Sequence, residues 1–297
     1  MSNGLNVISR RGNFILNIFF MLCAVTCVYP LLLVVGVSLS EEQSILKYGY
    51  SVIPHVFSLK GYEYIFNNSA FLGRTYILTI FVTVVGTVLS TLIIALFAYP
   101  ISRKEFKFRR FFTFFALFTM IFKAGMVPWY FVCVKFLHIQ NTIWALILPY
   151  LINAWFVIIM RTFFMTTIPD EVLESAKIDG AGEIRTFFSI VIPLSLPGLA
   201  TIALFNTLAY WNDWWLCLML ITDQALYNVQ FTLYQILNNL QYLNTMAQYA
   251  SPEQINRLPS ETARMAMAIV AIGPVVLAYP FLQRFFVKGL VVGAIKG

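Results

Sequence analysis

Charged side chains are scarce in this 297-residue sequence. Aspartate, glutamate, lysine and arginine together account for 11% of the residues, whereas hydrophobic residues account for 60%. Soluble domains carry about 25% charged residues, and so small a charged share cannot give a folded domain a water-facing surface. The composition therefore excludes an ordinary soluble enzyme, a disordered chain and a disulfide-stapled secreted module, and it indicates an integral membrane protein.

Residue types that build catalytic and metal sites are also few. The chain has four cysteines without a C-x-x-C pair, and its two histidines are isolated. Cys23 and Cys27 share a helix face, but buried thiols usually act as small hydrophobic side chains. No Gly-Lys dipeptide occurs, so the chain has no phosphate-binding P-loop. We therefore expect no catalytic residue, no metal site and no cofactor bound by this chain.

Long segments without charge predict an all-α integral membrane protein, because a helix satisfies its own backbone hydrogen bonds in lipid. Five such segments are clear. A sixth, from about Arg110 to Ala124, is short, and we expect it to kink or restart at Pro128, which has no N–H to donate. The five clear segments are residues 14–37, 76–99, 143–160, 191–210 and 265–282.

Basic residues divide unevenly between the two sides of this six-helix topology. Thirteen lysines and arginines fall on the side of the termini and seven on the other side. Positive residues stay cytoplasmic, so both termini are predicted to be cytoplasmic, and the net charge of +7 does not indicate a nucleic-acid partner. The predicted segments are a cytoplasmic N-terminus (1–12), a first transmembrane helix (13–40), an external loop (41–73), a five-helix core (74–286) and a cytoplasmic tail (287–297). The core contains a cytoplasmic loop at 166–193 and an external loop at 222–263.

The cytoplasmic loop 166–193 is the most polar of the predicted cytoplasmic segments. Pro169 followed by two acids is a helix-start signal, and the helix should run to about Ile178 before Gly180 and Gly182 break it. A second amphipathic turn follows, and Pro193 precedes the next span. The first helix carries Val172, Leu173 and Ala176 as apolar knobs, which need a groove on another protein.

This loop resembles the EAA loop of ABC-importer permeases, in which a glycine follows the E-A-A glutamate by six residues and I-x-L-P comes later. The matching positions here are Glu174, Ser175, Ala176, Gly180, Ile190, Ile192 and Pro193, with serine for alanine and isoleucine for leucine as the two departures. Asp179-Gly180-Ala181, Phe187 and the later Trp211-Asn212-Asp213 resemble the carbohydrate-uptake subgroup, the MalG-like permeases. The resemblance covers roughly residues 70–297.

The resemblance implies that the loop docks into a cleft of a cytoplasmic ATPase, which would hold the ATP and Mg. It also implies two ATPase subunits, a second permease subunit in a heterodimer, an extracytoplasmic solute-binding protein and a location in the bacterial cytoplasmic membrane. Glu174 would meet a basic group of the ATPase. The residues implied in coupling to the ATPase are Glu171, Glu174, Ser175, Ala176, Asp179, Gly180, Ala181, Phe187 and Pro193.

Aromatic and amide side chains on the outer half of the fifth span are candidates for a sugar path, because sugars stack on rings and bond to amides. Two further amides are similar candidates, Asn206 in the same span and Asn153 in the fourth span. The alternatives are an interfacial aromatic belt for the tryptophans and interhelical hydrogen bonds for the asparagines. The candidates are Asn153, Asn206, Trp211, Asn212, Trp214 and Trp215.

The external segment 223–261 is long, nearly uncharged and rich in Asn, Gln and Tyr, with a short element expected at 231–234. In the family, this segment and the first external loop face the solute-binding protein. The candidate contacts with that protein are Phe231, Tyr234, Gln235, Asn238 and Tyr242.

The function that the sequence favours is a permease subunit of an ATP-driven importer of an oligosaccharide or polysaccharide fragment. A secondary transporter or channel working alone is the alternative, although the middles of the five clear spans lack the ionisable groups that ion coupling usually uses. A membrane enzyme is disfavoured because no catalytic cluster is present.

Overall fold

The computed structural model describes residues 10–66, 69–247 and 261–273, which form two compact units. The first unit contains the described residues up to Ser69 and those from Ile236 to Ile272, and the second contains Ala70 to Gln235. Within the described ranges the ordered elements are helices, apart from one isolated antiparallel bridge between Ser40 and Phe57. This agrees with the predicted all-α class.

The first unit is built around α1 (Arg10–Ser38), whose central apolar side chains are exposed, as expected for a helix in contact with lipid. Two short helices follow, α2 (Glu42–Tyr48) and α3 (Lys60–Phe66). The Glu42 carboxylate accepts hydrogen bonds at 3.0 Å from the backbone N–H groups of Glu261 and Thr262, at the start of the helix 261–273. These bonds satisfy N–H groups that a helix start leaves without partners.

The second unit is a succession of helices of very different length. The longest, α4, has 34 residues, and the others are shorter because turns interrupt them. Turns of π-helix at Val132–Phe136 and Phe187–Val191 and of 3-10 helix at Leu148–Tyr150 and Gln224–Leu226 join several of them. The helices are α4 (Ser69–Ser102), α5 (Arg109–Ile121), α6 (Met126–Phe131), α7 (Trp144–Ile147), α8 (Ala154–Thr167), α9 (Asp170–Ile178), α10 (Glu183–Thr186), α11 (Ile192–Leu194), α12 (Leu196–Trp211), α13 (Trp215–Leu220) and α14 (Val229–Ala247).

Two of the described helices are long and apolar enough to cross a membrane, namely Gly12–Ser38 and Leu72–Ser102. Three bent pairs of helices also qualify if each pair counts as one span, which gives up to five spans in the described residues. The last predicted span in chain order, 265–282, lies partly outside these residues, and its described part is helical to residue 273. The bent pairs are Arg109–Ile121 with Met126–Phe136 (116°), Trp144–Tyr150 with Ala154–Thr167 (52°), and Glu183–Leu194 with Leu196–Trp211 (81°).

The third span breaks at residues 122–125: the kink does not lie at Pro128 itself, but the helix restarts at Met126, so the predicted restart is confirmed to within two residues. The chain leaves the helix at Phe122 and restarts after Gly125, which has a φ of +88° that favours glycine. Pro128 is the third residue of α6, in the first turn, where its missing N–H has no intrahelical acceptor to lose. The short element expected at 231–234 was wrong in length, because α14 has 19 residues.

Two buried clusters along α4 hold the second unit together. The loop-side cluster surrounds the C-terminal part of α4 and includes Ile94, Met160 and Phe164. The far-side cluster includes Leu146, Tyr210 and Leu216. Close packing is possible in the far-side cluster because α4 presents Gly86 to the Tyr210 ring, where an added Cβ would lie 2.6 Å from a ring carbon.

Candidate functional site

The EAA loop (166–193) folds as a helix–turn–helix, as the sequence predicts. Pro169 has extended backbone angles and precedes α9, which ends at Ile178. Gly180 then adopts a φ of +77°, a conformation that side-chain-bearing L residues rarely adopt, and this glycine reverses the chain toward α10. Helix α9 thus has the start and the end that the sequence predicts.

Two polar contacts attach the EAA loop to the C-terminal end of α4. At the start of α9, Asp170 accepts hydrogen bonds from Lys104 at 3.0 Å and from Arg103 at 3.2 Å. At the start of α10, the Tyr99 hydroxyl donates to Glu183 at 3.2 Å. The hydrogen bond and the charge of Lys104, with a smaller contribution from Arg103, lower the pKa of Asp170 from its ordinary value.

The sequence does not identify these attachment residues as functional groups. Arg103 and Lys104 belong to the thirteen basic residues that in the sequence serve only to predict the orientation. The signal that these two side chains also bind the loop was the pair of acids in the first turn of α9, since a basic segment and an acidic helix start on one side of a membrane attract each other.

One face of α9 is buried within the chain, and this corrects the prediction for two of the apolar knobs. Leu173 and Ala176 are 8% and 6% exposed, so they pack inside the subunit and are not offered to a partner. Phe187 is also buried, against Tyr99 at a ring-centroid distance of 5.3 Å. The knob that stays accessible is Val172, which is 37% exposed.

The accessible surface of the EAA loop combines apolar and acidic side chains, and two of them, Ile184 and Glu174, also line the cavity beside the end of α4. Ile178 is 86% exposed and Ile184 is 77% exposed, which is unusual for isoleucine in a folded segment. The Ser175 hydroxyl donates to the Glu171 carbonyl of its own helix, at 2.8 Å, and contributes to the same surface. The other exposed candidates are Glu171, Glu174, Asp179, Gly180 and Pro193, while Ala181 is partly buried.

A cavity of about 600 Å³ separates the EAA loop from the end of α4. Besides its polar bonds at Asp170 and Glu183, the loop packs on the core through Leu173 and Phe187, and the cavity remains beside these contacts. Its lining includes Tyr99, Phe106, Glu174, Lys177, Ala181 and Phe187.

Residues 77–292 match the family described as the binding-protein-dependent transport system inner membrane component. The chain belongs to this family. It is therefore a permease component of an ATP-binding-cassette importer, and such a component is not itself an enzyme. The prediction that this chain is an importer permease is confirmed.

Several curated relatives resemble the permease over nearly its whole length. The polygalacturonan/rhamnogalacturonan transport system permease protein YtcP of Bacillus subtilis is 38% identical over 282 residues, which cover 94% of this chain and 96% of YtcP. The arabinooligosaccharides transport system permease protein AraQ of Halalkalibacterium halodurans is 27% identical, with 96% of this chain and 97% of AraQ covered. A bacterial ABC transporter involved in the import of the acidic polysaccharide alginate has a similar structure, with a TM-score of 0.79 and 25% identity over 96% of this chain and 100% of that chain.

The tryptophan candidates of the permease gather at the end of α12. Trp211 is buried near Tyr76, and Trp215 packs on Trp129 at a centroid distance of 4.7 Å. Trp214 is 40% exposed and stacks on Tyr234, also at 4.7 Å. The structure thus joins a predicted path residue to a predicted binding-protein contact.

The asparagine candidates have different surroundings. Asn153 is exposed at the break between the two parts of the fourth span, where its side chain accepts from the Trp155 N–H and caps α8. Asn206 is buried, and its amide nitrogen has no hydrogen-bond partner among the described residues. Asn212 is exposed and donates to the Leu208 carbonyl of its own helix. The structure therefore does not bring these three amides together.

The candidate contacts with the binding protein divide into buried and exposed positions along α14. Phe231 is 4% exposed in the far-side cluster, so it is not available to a partner in this structure. Tyr234 and Gln235 are partly buried, whereas Asn238 and Tyr242 are exposed. Only the second half of the predicted set therefore offers an open surface.

A buried carboxylate network beside the tryptophans was missed as a structural centre. The Asp213 Oδ1 accepts from the Tyr150 hydroxyl at 2.9 Å and from the Leu216 N–H at 3.2 Å. The Asn228 side chain donates to the Asp213 carbonyl at 2.6 Å. The sequence signal was the acid in Trp211-Asn212-Asp213, an ionisable residue directly after an apolar span.

Proposed function

We propose that the permease translocates an oligosaccharide or polysaccharide fragment that an extracytoplasmic solute-binding protein delivers, with ATP hydrolysed by partner subunits. The observation that carries the coupling to a partner is the exposed face of the EAA loop, where Ile178 and Ile184 lie near acidic side chains. Saccharides in the names of relatives such as YtcP and AraQ support the substrate class. Exposed Trp214 supplies a ring of the kind that stacks on sugars.

The proposed assembly contains two permease subunits, two cytoplasmic ATPase subunits that hold ATP and Mg, and the binding protein. The second permease is proposed to be a different chain, which makes a heterodimer. Six transmembrane helices with both termini in the cytoplasm place the EAA loop on the side of the ATPase. Native mass spectrometry of the purified complex tests the composition, and two copies of this chain in one complex would contradict the heterodimer.

The docking of the EAA loop is tested by co-purification of the ATPase with variants of the exposed face. Glu174→Lys reverses a charge on this face, and Gly180→Trp forces a bulky residue into a left-handed backbone conformation. Both are expected to lose the ATPase, whereas Glu63→Lys, which changes an exposed glutamate of α3, keeps it. An ATPase retained at wild-type level by both loop variants would overturn the proposal.

The substrate is tested by the glycans that stimulate the ATPase activity of the assembled complex in the presence of binding protein. Fragments of acidic and of neutral polysaccharides, tested in parallel, identify the class. Deleting residues 238–249, which begin on the exposed part of α14, is expected to abolish this stimulation. Unchanged stimulation would remove α14 from the proposed contact.

The alternative function that the sequence leaves open, a stand-alone secondary transporter or channel, is not favoured, because the chain belongs to the importer permease family. Loss of transport when the ATPase is omitted, and sensitivity of transport to vanadate, are the results expected for the ATP-driven importer.

A further inference from the structure

Helix α4 differs from the other described spans of the second unit because it is one continuous helix, whose single proline, Pro100, lies in the last turn and outside the segment from Thr79 to Tyr99. Its 34 residues form one helix, whereas each of the other described spans of this unit is a pair bent by 52° to 116°. A continuous α-helix is stiff along its axis, since its hydrogen bonds run parallel to that axis. A bent pair can change its angle at the break. Among the described spans of this unit, α4 is therefore the one suited to carry a displacement along its full length.

The C-terminal end of α4 is attached to both arms of the EAA loop. Tyr99 bonds to Glu183 at the start of α10, and Arg103, one residue after the helix, bonds to Asp170 at the start of α9. The Tyr99 ring also packs against Phe164 and Phe187, which fixes the direction of its hydroxyl. A displacement of the EAA loop therefore acts on α4 at two points.

The N-terminal part of α4 is attached to the start of α14. The Thr79 hydroxyl accepts a hydrogen bond from the Val229 N–H at 2.9 Å and donates to the Thr75 carbonyl at 2.7 Å. Val229 is the first residue of α14, so its N–H is one of those that a helix start leaves for an outside acceptor. Both Thr79 and Val229 are buried, and the bond is therefore shielded from water.

We propose that α4 is the element that transmits displacement of the EAA loop to α14, with Tyr99 and Thr79 as positioning residues at its two ends. The two residues are twenty positions apart on one helix, which corresponds to about 30 Å. This inference rests on the proposed function, because it assumes that an ATPase moves the EAA loop and that α14 contacts the binding protein. It adds the path between the two sites and the residues that form it.

The test uses the reciprocity of coupled binding. In the full complex, in lipid nanodiscs, the Kd of the loaded binding protein is measured with and without a non-hydrolysable ATP analogue. The ratio of the larger Kd to the smaller one reports the coupling and equals 1 when the two sites are not coupled. Tyr99→Phe removes the bond to Glu183 and keeps the ring, while Thr79→Val removes the acceptor for Val229 and keeps the shape. Each is expected to reduce the ratio by about two- to tenfold.

The double variant decides between one path and two independent effects. If α4 is the path, the double variant Tyr99→Phe with Thr79→Val lowers the ratio no more than the larger single change does. The reason is that either change alone already interrupts the transmission along α4. Thr79→Ser restores the acceptor and is expected to restore the ratio. Thr201→Val is the matched control, since the Thr201 hydroxyl bonds only to the Pro197 carbonyl of its own helix among the contacts that the structure gives it.

The outcomes separate this inference from the function on which it rests. Additive effects of the two variants, or an unchanged ratio in Thr79→Val, would overturn the role of α4 while ATPase co-purification still supports the importer. Absence of the ATPase from the wild-type complex would overturn both. An unfolding temperature of the complex at the wild-type level in both single variants shows that a reduced ratio reflects lost coupling and not a misfolded subunit.

Discussion

The two ends of α4 are held in contrasting ways. At the C-terminal end, α4 packs in the loop-side cluster, and polar bonds at Asp170 and Glu183 attach an EAA loop that leaves a cavity of about 600 Å³ beside the helix. Farther toward the N-terminus, the helix packs directly through Gly86 against a buried ring, in a cluster next to the Asp213 network. The difference indicates that the EAA loop has room beside it to change its contacts during a transport cycle, while the packing around Gly86 is fixed. Substitutions should therefore cost stability at the fixed end and coupling at the EAA loop.

The largest effect is expected at Asp213, in the fixed core. Asp213→Ala leaves the Tyr150 hydroxyl and the Leu216 N–H without their acceptor, which costs roughly 2–6 kcal/mol of folding stability at about 1–3 kcal/mol for each buried group. Asp213→Asn keeps an acceptor oxygen and should lose far less. Thermal unfolding of the complex in detergent measures both, and equal losses would show that the charge, not the acceptor, is required.

Next comes Gly86, whose replacement disturbs the same core by overpacking. In Gly86→Ala, the new Cβ would meet the Tyr210 ring at 2.6 Å, and the ring is held by its hydroxyl bond to the Ile147 carbonyl at 2.9 Å. We expect a loss of about 1–3 kcal/mol. Gly73→Ala on the same helix meets open space and should stabilise by up to about 1 kcal/mol. Similar unfolding temperatures for the two variants would contradict this packing account.

A smaller effect is expected in the EAA loop, where two glycines two residues apart differ in backbone conformation. Gly180→Ala must adopt a φ of +77° and should cost about 1 kcal/mol, whereas Gly182→Ala, in open space without a positive φ, should be nearly neutral. The expected phenotype of Gly180→Ala is reduced ATPase co-purification, with an unfolding temperature lowered by no more than a few degrees. Equal co-purification by both variants would show that the turn is not needed for docking.

The smallest effect concerns the attachment of Asp170, and it depends on pH. Lys104 and Arg103 lower the pKa of Asp170 below its ordinary value of 3.8, so the bonds are present in full above that value and are lost as pH falls through the lowered pKa. Hydrogen exchange of the α9 amides, corrected for intrinsic rates, should not change between pH 8 and pH 5 and should rise in stronger acid. Asp170→Asn at pH 7 should show the faster amide exchange that the wild type shows in strong acid. Protection of the α9 amides equal to that of the wild type would mean that the Asp170 bonds do not stabilise α9.

The parts of this fold that the sequence predicts are those where single residues start or end a helix. Pro169 and Gly180 bracket α9 because one favours a helix start and the other can reverse the chain, and both act within a few residues. The break near Pro128 is predicted to within a few residues, because a proline is compatible with a kink and with a first helical turn and so marks a break without fixing its position. The helix restarts after Gly125, whose φ of +88° the sequence does not reveal.

The apolar periodicity of α9 does not predict which side chains of the EAA loop are buried within the chain. An apolar stripe on α9 predicts a contact, but it does not say whether the contact is with the same chain or with a partner. Leu173 and Ala176 turned inward because the end of α4 lies behind them, and that neighbour is 70 residues away in sequence. The buried position of Phe231 has the same origin, since its partners in the far-side cluster come from distant segments.

The length of α4 has a further consequence for the choice of lipid. The helix Leu72–Ser102 has 31 residues, and its charge-free part, 75–102, measures about 42 Å along its axis, whereas the hydrocarbon core of a bilayer is about 30 Å thick. A helix with such hydrophobic mismatch must tilt, or the membrane must thicken around it. The tilt determines how far the Tyr99 end of the helix lies from the headgroups. The acyl-chain length of the lipid used in reconstitution is therefore expected to change the position of the EAA loop relative to the membrane.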